Sequence, residues 1–110
     1  MAHKLRRNST LLAALCELTT QQRKALLKHA TADQISCLSE IAYNLLASNI
    51  PVSDKTRKKL AKHKHTLRAL ANPRTSVKKR KQLLIQKGGF LPFLIPAAAS
   101  LIGALLRPSS

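Results

Sequence analysis

Carboxylates are scarce in this chain. Glu17, Asp33, Glu40 and Asp54 are its four acids in 110 residues, against 20 Lys and Arg. That leaves no paired acids for general acid–base work and no Ser/His/Asp arrangement. Cysteine is equally sparse. Cys16 and Cys37 are too few for a disulfide framework and have no CxxC partners. With His3, His29, His63 and His65 they match no metal-ligand spacing. The three glycines build no phosphate-cradling loop, and neither an internal repeat nor a β-hairpin pattern is evident. Aromatics are limited to Tyr43, Phe90 and Phe93, none of them in the most basic stretch, so single-stranded bases have nothing there to stack on. Neither enzymatic activity nor a metal or other cofactor is expected.

The positive charge is plentiful and unevenly placed. Residues 1–50 carry 6 basic and 3 acidic side chains, a net of +3, whereas residues 51–110 carry 14 basic side chains and Asp54, a net of +13. Between Lys55 and Lys81 lie 12 Lys or Arg and no carboxylate. Such unbalanced charge repels itself and works against compaction, whereas a merely soluble surface usually mixes both signs. A polyanion relieves the repulsion, so DNA, RNA or anionic lipid is the expected partner. Lys and Arg neutralise phosphates and release condensed counterions without reading sequence. No rigid set of side chains for reading base edges can be identified, which favours non-specific duplex binding.

Leucine and alanine argue for folded helices despite the charge. Asn8 or Ser9 is positioned to cap a helix reaching Leu18, with Leu11, Leu12, Leu15 and Leu18 on one side. Thr19 with Gln22, and Thr31 with Gln34, have capping-box spacing. They predict helices to about Ala30 and Ser48. In the second, Ile35, Leu38, Ile41, Ala42, Leu45 and Leu46 make the clearest apolar stripe of the chain, and Asn49-Ile50-Pro51 ends it. Ser53 is expected to cap one amphipathic helix from Asp54 to Leu70 or Ala71, with Leu60, Leu67, Leu70 and Ala71 on the face opposite most of the lysines. After Asn72-Pro73, Ser76 caps a basic helix from Val77 to Lys87, which Gly88-Gly89 stops. The expected fold is all-α, a small bundle of short helices with a basic amphipathic helix and an apolar C-terminal tail. It divides into a Leu-rich helical region (1–50), a basic nucleic-acid-binding region (51–87) and the tail (88–110). The two cysteines read as reduced, buried small hydrophobes.

The tail begins with 19 uncharged residues, Gly88 to Leu106, bracketed by Lys87 and Arg107. As one helix it would span about 28 Å, close to a bilayer core of about 30 Å. Pro92, Pro96 and Gly103 interrupt it. Insertion in a membrane, contact with a protein partner and burial against the chain's own helices all stay open for Phe90, Leu91, Phe93, Leu94 and Ile95. Lys78-Lys79-Arg80-Lys81 also has the form of a nuclear import signal.

The order Lys78-Lys79-Arg80-Lys81, Gly88-Gly89-Phe90-Leu91-Pro92-Phe93-Leu94-Ile95-Pro96 and Ile102-Gly103-Ala104 resembles the adenovirus core protein X (mu) precursor family over about residues 76–110. The whole layout also looks like the small late basic proteins of adintoviruses and Maverick/Polinton elements. The resemblance implies a DNA-condensing protein that accompanies the packaged genome in the virion and host nucleus. It also implies cleavage by the viral cysteine protease at Gly88-Gly89, after Gly89. Gln86 departs from the aliphatic residue the family places four positions before the cut. The Lys-rich helices and the Leu-rich N-terminal half depart from it as well.

The reading is a virion-associated, sequence-non-specific DNA-binding and condensing protein of an adenovirus-like virus or mobile element. Its expected contacts to double-stranded DNA are Lys55, Arg57, Lys58, Lys59, Lys62, Lys64, Arg68, Arg74, Lys78, Lys79, Arg80 and Lys81. The N-terminal helices orient this region or mediate self-association, and the tail contacts capsid protein. The alternative is a membrane-active or tail-anchored basic protein using residues 88–106. A third is a minor capsid component whose charge complements acidic capsid surfaces.

Overall fold

The computed structural model describes residues 2–47 and 52–96, and among these there is no strand. Seven helices follow in order: α1 (Ala2–Arg7), α2 (Ser9–Glu17), α3 (Thr20–Lys28), α4 (Ala32–Leu46), α5 (Asp54–Ala61), α6 (Lys64–Ala71) and α7 (Val77–Lys87). A 3-10 turn, Gly88–Phe90, leads into helical backbone over residues 91–96. The all-α bundle expected from the apolar spacing is what the chain forms. The Asn49-Ile50-Pro51 break and the tail from residue 97 onward lie outside the described residues.

Most helix starts are set by side chains. At α3, Thr19 Oγ1 accepts from the Gln22 N–H at 3.2 Å, and Gln22 Oε1 accepts from the Thr19 N–H at 3.0 Å. Thr31 and Gln34 repeat this reciprocal pairing at α4. Ser53 accepts from the Thr56 N–H and Ser76 from the Lys79 N–H, which starts α5 and α7. Asn8 stands at the N-cap of α2 but makes no side-chain cap. Its amide donates instead to Asp33 Oδ2, and Arg7 grips the same carboxylate through Nε and Nη2, tying α1 to α4.

One expectation is corrected. The helix predicted over residues 54–71 is broken at Lys62-His63 into α5 and α6. Lys55–Lys59 and Lys58–Lys62 are like-charge pairs at i,i+4, which oppose a continuous helix. The break lets His63 lie against Phe90, with ring centroids 5.6 Å apart. The glycine pair ends α7 at Lys87 as expected, although Gly88 has φ −79° rather than a left-handed conformation and a 3-10 turn carries the chain into further helix. Gly88 packs closely: a Cβ there would come within 3.3 Å of Leu91 Cδ1, so that side chain would have to shift slightly.

One hydrophobic core draws on every stretch of the chain. Leu5, Leu12, Leu15, Leu27, Ile35, Leu38 and Ile41 meet Leu60, Leu67, Leu70 and Leu84, with Phe90, Leu91, Leu94 and Ile95 among them. α4 is the central element, packing on α6, α7 and α1, while α3 packs on α7. Cys37 is buried as expected, and Cys16 is half-buried at the edge of the core.

Candidate nucleic-acid interface

The basic surface follows from how α5, α6 and α7 bury themselves. Leu60, Leu67, Leu70 and Leu84 point into the core, which leaves the rest of each helix perimeter to solvent. Lys55, Arg57, Lys58, Lys59, Lys62, Lys64, Arg68, Arg74, Lys78 and Lys79 are all exposed. No carboxylate follows Asp54 anywhere in these helices.

Arg80 and Lys81 differ from the other ten. Both are half-buried, and each donates to a backbone carbonyl: Arg80 Nη2 to Asn72 O at 2.8 Å, Lys81 Nζ to Lys28 O at 3.3 Å. Arg80 braces the turn between α6 and α7. There Asn72 is extended, as a residue before proline should be, and its Oδ1 accepts from the Arg74 N–H. Lys81 caps the carbonyl end of α3, where a cation is favourable. Two of the twelve expected phosphate contacts thus also hold the fold, a duty their place in the sequence does not reveal.

Three of the four acids lie outside these helices. Asp33 is bound to Arg7 at 2.7 Å, and that contact raises the Arg7 pKa further. Glu17 and Glu40 sit on α2 and α4, and Asp54 opens α5, where a negative charge suits the helix start.

The five apolar tail residues considered for outside contacts lie against the chain itself. Phe90, Leu91, Leu94 and Ile95 are buried, and Phe93 is half-buried beneath the Lys59 ammonium, 4.7 Å from its ring centre. Gly89 is exposed, and both glycines sit in the 3-10 turn. No helix among the described residues is long and apolar enough to cross a membrane. Among the same residues no cluster of three or more His, Cys, Asp or Glu could hold a metal.

Fold and surface together define a small, strongly basic, all-α protein whose cations converge on three consecutive helices. Residues 18–105 match the model of the adenovirus late L2 mu core protein (protein X), and the chain belongs to that family of viral core proteins. The match takes in α3 and α4 as well as the basic helices and much of the tail. No curated protein and no solved structure gives a significant match.

Proposed function

We propose that this chain is a virion-associated core protein that binds double-stranded DNA without sequence preference and helps to condense it. The observation that carries the reading is the exposure of ten of the twelve expected cations on α5–α7 and the connecting turns, with no acid among them beyond Asp54. Membership of a viral core protein family supports it. The source is an adenovirus-like virus or a mobile element of the adintovirus or Maverick/Polinton kind, and the working compartments are the host nucleus and the virion. Lys78-Lys79-Arg80-Lys81 serves as the import signal, with Lys78 and Lys79 exposed to a receptor.

In this scheme residues 51–87 hold the genome, and residues 1–50 brace them and offer a surface for self-association. Residues 90–95 close the core. Cleavage after Gly89 requires the 3-10 turn to open, because a protease takes its substrate extended. Contact of the tail with capsid protein or membrane requires Phe90, Leu91, Leu94 and Ile95 to leave the core first.

Gel shifts on several unrelated duplexes of equal length test the reading, alongside light scattering of plasmid DNA. Equal affinity for all duplexes and a fall in plasmid radius are expected. A strong preference for one duplex, or binding that leaves plasmid DNA extended, contradicts it.

A further inference from the structure

The helix α3 belongs by sequence to the half of the chain with little net charge, yet the fold sets it beside α7. The two helices run antiparallel. Arg23, in the first half of α3, shares a half-open cavity of about 240 Å³ with Gln86 at the far end of α7, while Lys28, ending α3, meets Lys81 in the middle of α7. The cavity floor is apolar, formed by Leu27, Leu84 and Leu91. Arg23 and Lys24 line its wall, and along their lengths α3 adds Lys28 and α7 adds five more cations.

Neither helix contains a carboxylate. Lys24, Lys28 and Lys87 are exposed, and Arg23 is half-buried, with Nη2 donating to Thr20 Oγ1 at 3.2 Å. Like charges are therefore held side by side across a packed helix pair with no acid of either helix between them. A solvated surface usually intersperses both signs, whereas a phosphate backbone offers the missing counter-charge as a continuous line. α7 packs on both α3 and α6, so one helix links the element carrying Arg23, Lys24 and Lys28 to the rest of the basic helices.

We propose that Arg23, Lys24 and Lys28 are part of the surface that grips duplex phosphates, so that the interface extends across α7 onto the N-terminal half of the chain. This rests on the reading that α5–α7 bind duplex DNA. It adds three contacts that the charge distribution along the sequence assigns to the non-binding half.

The test compares full-length protein with the triple variant R23Q/K24Q/K28Q on a 30-base-pair random duplex, by fluorescence anisotropy between 50 and 200 mM salt. The control is Arg6→Gln, an exposed cation on α1, which packs mainly on α2 and α4. Circular dichroism confirms that each variant stays helical. Loss of three phosphate contacts lowers the steepness of log affinity against log salt by about 2.7, so the affinity drop across that salt range shrinks about 40-fold. Arg6→Gln leaves the slope unchanged.

An unchanged slope in the triple variant, with the full-length protein steeply salt-dependent, overturns the α3 assignment and leaves the proposed function standing. Salt-independent binding by the full-length protein overturns both. A triple variant that keeps its duplex slope but no longer binds phosphatidylserine vesicles assigns α3 to lipid and also overturns the proposal.

Discussion

The ammonium of Lys59 rests 4.7 Å from the centre of the Phe93 ring, joining a helix expected to face nucleic acid to a segment that had a membrane or a capsid as rival destinations. One turn further along, His63 packs on Phe90. The start of the apolar tail, residues 90–95, is thereby a structural part of the basic module: it fills the core beneath α5 and meets His63 at the α5–α6 break. Phe90→Ala should lower unfolding free energy by about 3–5 kcal/mol, the usual cost of emptying a buried phenylalanine site. Urea unfolding measures this, and a loss below about 1 kcal/mol would show that the ring is not in the core.

Truncation after Lys87 should be more severe. It removes Phe90, Leu91, Leu94 and Ile95, each at most 2% exposed. At about 1.5–3 kcal/mol per side chain the loss is comparable with the whole stability of a small domain. The truncated chain is expected to show no cooperative thermal transition by circular dichroism. A sharp melt near that of the full chain would sink the claim that the tail closes the core.

Serine caps offer a finer check. Ser76→Ala removes the oxygen that accepts from the Lys79 N–H at 3.1 Å, and should cost about 1 kcal/mol, as N-cap removal typically does. A loss that appears equally in a Ser76→Asp variant, which keeps a cap acceptor, would point to some other role for this position.

Cysteine reactivity reads the packing of α2. Burial pushes the Cys16 thiol up, the neighbouring Glu17 pushes it the same way, and Arg23 opposes them. The thiolate is the reactive form. Near neutral pH, Cys16 should therefore be alkylated more slowly than a free thiol, with its rate rising at higher pH than for a free thiol. Glu17→Gln should speed the reaction. Iodoacetamide labelling followed by mass spectrometry checks both, and a Cys16 rate equal to that of glutathione would contradict the burial.

Much of this fold is legible in the sequence because helix starts are local. The Thr19/Gln22 and Thr31/Gln34 boxes and the serines at 53 and 76 act within three residues of themselves, and each starts its helix where expected. The buried stripe of α4 is legible for the same reason, through Ile41 and Ala42, although Leu46 at its end is exposed. Long-range facts are not. Leu60 and Leu67 keep helical spacing across the break at 62–63, so the apolar pattern does not announce it. The helix α1 offers no cap to find, and its one buried leucine, Leu5, gains meaning only beside α4. An apolar run such as residues 90–95 looks alike whether a bilayer or its own core covers it. The pairing of α3 with α7, which brings the α3 cations beside the basic helices, likewise depends on contacts some fifty residues apart, such as Lys28 with Lys81.

The most direct test of the central claim is the salt dependence of duplex binding before and after neutralising Lys55, Lys58, Lys62 and Lys64 to Gln, all four exposed and so replaceable without touching the core. With six to ten phosphates contacted, log affinity should fall against log salt with a slope of about −5 to −9, and the quadruple variant should flatten it by about 3 to 4. A native slope near zero, or one that the four substitutions leave unaltered, would mean that these helices do not hold the genome.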